Sequence, residues 1–313
     1  MKRLAAMCAA AAIAALTAGP GSEALARPSC KTARAASLAM VPGAPVGVAV
    51  PMTLAGRQVD LLVDTGGIAS LLTESTANSL SLTPAEITGR HATIFGGTHI
   101  DSFVTAHDID LGGIRMKQKD FQLLPDGHLP PGLGGTLAPD ILSAYDVEFD
   151  FAGGRLNLYT PGRCPGGAVS WTTQPHVEVP FKLDGGGHIL MTVKLDDKDV
   201  SVTLDTGSSR SIFGLESAEA TFGFDDRDPQ LKLAAETRLG KIYLYPFRAL
   251  QFGDPADGGA SFNIINPNLL LISRADSGML YGPELILGMS VLRHLHLYID
   301  YKQQRIYATP ATE

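Results

Sequence analysis

The sequence predicts an all-β chain built as two lobes on one plan. Three observations predict it. Asp-Thr-Gly occurs twice, at Asp64-Thr65-Gly66 and Asp205-Thr206-Gly207, each time directly after a strand-like run, Leu61-Leu62-Val63 and Val202-Thr203-Leu204. The surroundings repeat as well. At the offset 205 − 64 = 141, Val59 aligns with Val200, Ser70 with Ser211 and Ala77 with Ala218. The third observation is composition: 34 glycines and 20 prolines, spread between short apolar runs, suit many short strands joined by turns. Roughly 0.1 such tripeptides are expected by chance in a chain of this length, so two in matched contexts mark an internal duplication.

A second echo closes each copy. Leu137-Ala138-Pro139-Asp140-Ile141-Leu142 parallels Leu287-Gly288-Met289-Ser290-Val291-Leu292, at the offset 287 − 137 = 150. Each leads into a strand ending in the same acid, Val147 to Asp150 and Leu297 to Asp300, and then into another apolar strand from Arg155 or Arg305. The reading divides the chain into a first lobe over 36–160, a linker over 161–174 and a second lobe over 175–313. Helical signals are sparse; Glu74–Leu80 and Glu216–Phe222, at corresponding places, each suit one short helix.

These motifs resemble the aspartic peptidases of the retropepsin-like and pepsin-like superfamily. Its signature is an apolar pair, Asp-Thr/Ser-Gly, and later in each lobe two apolar residues followed by Gly. The resemblance runs from about Val46 to Tyr307. The second copy has every element, through Ser208 and Ile286-Leu287-Gly288. The first departs twice: Gly67 stands where the family has Ser or Ala, and Ala138 where it has Gly. One change removes a side chain and the other adds a methyl, so the two are expected to compensate.

The resemblance implies an all-β, bilobal pepsin-like fold of two pseudo-symmetric β-barrel-like lobes with a central cleft, and an aspartic endopeptidase with Asp64 and Asp205 as the catalytic pair. The chemistry explains why these residues suit the task. Two carboxyls about 3 Å apart cannot both ionise, so they share a proton. The ionised one takes a proton from the attacking water and the protonated one polarises the carbonyl. Thr65 and Thr206 have hydroxyls able to bond the opposite loop and hold the acids in register. Gly66 and Gly207 permit the tight path beside the acids, and Ser208 completes the support. The implied substrate is a peptide or protein, and no cofactor or metal is called for. Both half-sites lie in one chain, which predicts a monomer. The alternative is a non-catalytic periplasmic protein on the same fold, whose cleft binds a peptide or an envelope component.

The family covers its cleft with a hairpin flap. Thr93 to Ile100 suits that role, with apolar arms around Phe95, Gly96 and Gly97. Counting the same distance past Asp205 reaches Arg238, beside Leu239-Gly240-Lys241.

The first 26 residues read as a cleavable signal peptide: Lys2 and Arg3, an apolar stretch from Leu4 to Leu16, and a small-residue site at Ala24-Leu25-Ala26. That stretch is too short for a comfortable membrane span. The expected destination is the periplasm or the exterior. Cys30 and Cys164 are then the cysteines left, and in an oxidising compartment they are expected to pair. A net charge of −7 gives no hint of nucleic acid.

Other chemistries fare worse. His294 and His296 would share one face of a strand, but their first-copy counterparts are Ala144 and Asp146, so no ligand set is duplicated. The remaining histidines read as surface or turn residues. Gly-x-Ser-x-Gly is absent. Leu133-Gly134-Gly135 and Gly185-Gly186-Gly187 lack the Lys of a phosphate loop and read as hairpin turns.

Overall fold

The computed structural model describes residues 33–42, 46–89, 92–94, 98–161, 169–173, 175–237, 240–254, 259–273, 275 and 284–311. All of these fall within the unit Lys31–Glu313. The expected signal segment, both cysteines of the expected disulfide, and Phe95, Gly96 and Gly97 lie outside the described residues.

In the first half, β1 (Arg34–Ala39) is followed by a hairpin of β2 (Ala49–Leu54) and β3 (Arg57–Val63). Then come β4 (Leu71–Thr73), α1 (Glu74–Ser79), β5 (Ala85–Glu86), β6 (Ala92–Thr93) and β7 (His99–Ile100). The long strands β8 (Ser102–Leu111) and β9 (Ile114–Leu124) precede β10 (Gly135–Leu137), α2 (Pro139–Leu142), β11 (Asp146–Asp150) and β12 (Arg155–Tyr159). Strands β2-β3-β10-β4-β9-β8 run in that order, and pairing of β2 with β8 closes them into a six-stranded barrel. Alternation fills it: Val50, Met52, Leu54, Leu61, Val63, Val104, Leu111 and Phe121 are buried.

The second half repeats the order. It begins with β13 (Val177–Leu183), β14 (Ile189–Leu195), β15 (Lys198–Leu204), β16 (Ser211–Gly214) and α3 (Leu215–Phe222). Next are β17 (Lys232–Thr237), β18 (Gly240–Leu244), β19 (Ala249–Phe252), β20 (Phe262–Ile265) and β21 (Leu269–Ile272). It closes with β22 (Leu285–Leu287), α4 (Met289–Leu292), β23 (Leu295–Asp300) and β24 (Arg305–Pro310).

The two short helices fall within a residue of expectation. The first starts where the Thr73 hydroxyl accepts from the Thr76 N–H at 3.2 Å, an N-cap that satisfies one orphan donor. The second ends at Gly223, whose φ of 76° supplies the left-handed cap. Gly185 to Gly187 is a hairpin turn, between β13 and β14. Gly134 and Gly135 are not. Gly135 opens β10, packed so closely beside β4 that a Cβ there would overlap the Leu71 carbonyl oxygen. Glycine serves close backbone approach at this position, which a turn reading of the dipeptide misses.

One sheet joins the halves. Strands β1-β12-β11 from the first meet β23-β24-β13 from the second, with β11 antiparallel to β23 and Glu148 opposite Tyr298. Its apolar face buries Val147, Phe149, Leu297 and Ile299 completely. Its other face is polar. The Glu148 carboxylate accepts from Asn157 Nδ2 at 2.7 Å and from the Tyr159 hydroxyl at 2.7 Å, and lies 2.9 Å from His296 Nε2. Trp171 stacks on His296 with ring centroids 4.1 Å apart, and its Nε1 donates to Thr309 Oγ1. His296 is thus an interior partner: its strand position turns it onto a sheet face that Trp171 covers.

Burial alone would raise the Glu148 carboxyl, but hydrogen bonds from His296, Tyr159 and Asn157 outweigh it and leave the group below its ordinary 4.5. A depressed carboxylate stabilises the fold fully above its unfolded value, and that contribution is lost as pH falls through the lower folded value. Thermal melts across pH are expected to show stability declining below about pH 4.5, with Glu148→Gln flattening the decline. Glu148→Ala should cost about 3–5 kcal/mol, because it strands buried partners; an unchanged melting temperature would refute the role of this cluster.

Candidate active site

Each Asp-Thr-Gly loop hangs between two strands with a third inserted behind it. In the first half β10 lies parallel to β3 and antiparallel to β4. In the second, β22 lies parallel to β15 and antiparallel to β16. Each inserted strand fixes its acid through the backbone: Asp64 N–H donates to Leu137 O at 2.9 Å, and Asp205 N–H to Leu287 O at 3.0 Å.

The loops are cross-linked at the threonines. Thr65 N–H donates to Thr206 Oγ1 at 3.1 Å and Thr206 N–H to Thr65 Oγ1 at 3.0 Å. The hydroxyls in turn donate to carbonyls of the opposite half, Thr65 to Leu204 at 2.9 Å and Thr206 to Val63 at 2.7 Å. Both threonines are fully buried. The glycines bring the acids together: a Cβ on Gly66 would overlap the Asp205 carboxyl, and one on Gly207 would overlap that of Asp64. A hydrogen bond joins the two carboxyls, which are partly exposed at the surface between the halves.

The pair is chemically unequal. Asp205 Oδ1 accepts from Gly207 N–H at 2.8 Å and Ser208 N–H at 3.0 Å, whereas Asp64 Oδ1 accepts from Gly66 N–H at 3.0 Å. Desolvation and then the charge of Asp205 push the Asp64 carboxyl well above the carboxylate range. Desolvation also raises Asp205, opposed by the Ser208 and Gly207 N–H groups. An acid in this state holds a proton at neutral pH beside a neighbour better solvated as an anion. The Ser208 hydroxyl turns away and donates to Arg210 O.

Sequence reading aligned Ser70 with Ser211 without assigning them work. Ser70 Oγ accepts from Ala138 N–H at 3.0 Å and donates to Asp140 Oδ1 at 2.6 Å, with Lys119 Nζ 2.7 Å from Asp140 Oδ2. In the second half Ser211 Oγ accepts from Gly288 N–H at 3.0 Å, and Ser290 takes the place of Asp140. The signal was the shared offset; the partners become visible only when β10 and β22 are seen behind the loops.

The expected flap residues are described only by their arms. Strands β6 and β7 form a hairpin with Thr93 opposite His99, and Ile94 and Ile100 pack with Leu71 and Leu124. In the second half β17 and β18 pair across residues 238 and 239, and Ile242 packs with Ile212 and Ile272. Each hairpin is therefore anchored on the strand that leaves its Asp loop. A cavity of about 350 Å³ lies at the second hairpin, lined by Leu215, Glu236, Thr237, Lys241 and Tyr243, and neither acid reaches it. Among the described residues no group of three or more His, Cys, Asp or Glu is placed to hold a metal, and no helix is long and apolar enough to cross a membrane.

Comparison with known proteins agrees with this geometry. Residues 50–136, which include Asp64, match a family described as aspartyl protease. Basic 7S globulin from soybean superposes with a TM-score of 0.53 at 10% identity, over 90% of this chain and 96% of that one. Conglutin gamma, a basic 7S globulin from lupine seeds, gives 0.52 at 12% identity, over 89% and 95%. No curated protein matches by sequence. The matched segment is thus similar to an aspartyl protease family, and the chain shares its fold with the two globulins.

Gly67 and Ala138 face each other. A Cβ on Gly67 would lie 2.8 Å from Asp64 Oδ2 and 3.4 Å from the Ala138 methyl. In the second half the equivalent methyl has no room, since a Cβ on Gly288 would overlap the Arg210 carbonyl. There the Met289 N–H draws the loop in by donating to Ser208 O at 2.8 Å. Pro139 stands in the place of Met289 and has no N–H to do the same. Gly67→Ser is accordingly expected to lower stability by about 1–3 kcal/mol and to displace Asp64. Ala138→Gly in that background should recover part of the loss. Additivity within about 0.5 kcal/mol in the double-mutant cycle would show the positions to be uncoupled.

Proposed function

We propose that the protein is an aspartic endopeptidase, exported to the periplasm or beyond, that hydrolyses peptide bonds with a water held between Asp64 and Asp205. The observation that carries the reading is the hydrogen-bonded pair of unequal carboxyls, one supplied by each half. Asp205, with two N–H donors on one oxygen, takes the role of base, and Asp64 carries the shared proton. As the water oxygen bonds to the carbonyl carbon, Asp205 accepts a water proton and Asp64 passes its proton to the carbonyl oxygen. Collapse of the diol breaks the C–N bond. The proton on Asp205 goes to the leaving nitrogen and a diol proton returns to Asp64, which regenerates the pair. The proton inventory belongs to both acids together.

Incubation of the purified protein with a peptide library, with and without pepstatin, tests the reading. Cleavage that pepstatin inhibits is expected, and Asp64→Asn and Asp205→Asn should each lower it at least about a hundredfold while circular dichroism stays unchanged. Substantial turnover by either variant would rule out a shared-proton pair. Peptide binding without cleavage by the wild type would favour a non-catalytic cleft.

A further inference from the structure

We propose that His188, held by Asp184 on the turn between β13 and β14, is a positioning residue that keeps Asp205 the ionised member of the acid pair. The inference rests on the peptidase reading for its role in catalysis, but its electrostatics can be measured without turnover.

The ladder places the histidine. Strands β14 and β15 pair with Leu190 opposite Thr203. Carried two residues further, antiparallel pairing sets His188 opposite Asp205. The intervening Ile189 and Leu204 are both fully buried in the core. Alternation then turns His188 and Asp205 together to the other face, where the two acids meet. The same position in the first half is Gly47, since 188 − 141 = 47. A Cβ on Gly47 would come within 2.8 Å of the Thr206 carbonyl, so that site has no room for a counterpart. An imidazole therefore flanks one acid, and the position flanking the other carries no side chain.

The turn is built to hold the imidazole. Asp184 Oδ1 accepts from Gly186 N–H at 2.8 Å and His188 N–H at 3.0 Å, and its Oδ2 lies 2.8 Å from His188 Nδ1. Gly187 adopts φ +86°, and a Cβ on it would lie 3.7 Å from Pro139, so the turn rests on the first-half segment next to Ala138. Asp184 lies on the imidazole's own turn and Asp205 at the end of the adjoining strand, with the Asp64 carboxyl beside Asp205; Pro139, across the interface, is uncharged. The ring helps hold the Asp184 carboxyl below its ordinary value, and a positive charge on it opposes the rise that burial imposes on Asp205. Imidazole gains charge as pH falls, so the aid grows where the base is most in danger of protonation.

Carboxyl ¹³C NMR of aspartate-labelled protein tests this, with the pair assigned by signals lost in Asp64→Asn and Asp205→Asn. Relative to wild type, His188→Gln is expected to raise the lower apparent pKa of the pair by roughly one unit. His188→Lys should restore it, and thermal melts should show that all variants fold. The acidic limb of kcat/KM should move the same way, with KM little changed. An unmoved lower pKa in His188→Gln, or the same rise in His188→Lys, overturns the inference. A moved pKa in a protein that cleaves nothing counts against the peptidase reading and leaves the electrostatic assignment standing.

Discussion

Two carboxyls can share a proton only if the loops that carry them are held in register, and here four hydrogen bonds between Thr65 and Thr206 and their surroundings set that register. Each threonine satisfies a buried N–H of the other half and donates to a buried carbonyl there. Loss of either hydroxyl would strand two partners in an interior where an unmade bond is costly. The inserted strands β10 and β22, the overlapping Gly66 and Gly207, and the serine networks behind the loops all refine a geometry that this cross-link makes possible.

Duplication supplies the symmetry, and the acid pair departs from it. A symmetric pair would leave the proton undecided. The second half gives its acid two N–H donors and a neighbouring imidazole. The first half replaces Gly288 by Ala138 and Met289 by Pro139, and stiffens its loop through Asp140 and Lys119. These differences lie in the shells around identical tripeptides.

Legibility in the sequence followed the range of the interaction. The tripeptides, the helices after them and the alternating strands are local patterns, and one chain suffices to read them. The pairing of Ser70 with Asp140 spans 70 residues and that of Glu148 with His296 spans 148; no periodicity announces either. Gly134-Gly135 was misread because a glycine pair signals a turn locally, while its real work, close passage beside Leu71, is set by a strand from elsewhere in the chain. The partners of His296 were illegible for the same reason: Trp171, which covers its face, arrives from the segment between the halves.

The sheet that joins the halves has a temporal consequence. Its outer strand β1 is among the first parts of the described chain to be made and β24 is the last, and β11 waits about 150 residues for its partner β23. Contacts of such long sequence separation form late, after the loop entropy between them has been spent. A ribosome would therefore release most of the polypeptide before the junction could close. On the peptidase reading, the first barrel alone carries half of a proton-sharing pair and cuts nothing. On that reading, activity that arrives only with the final strand protects the nascent chain and its neighbours.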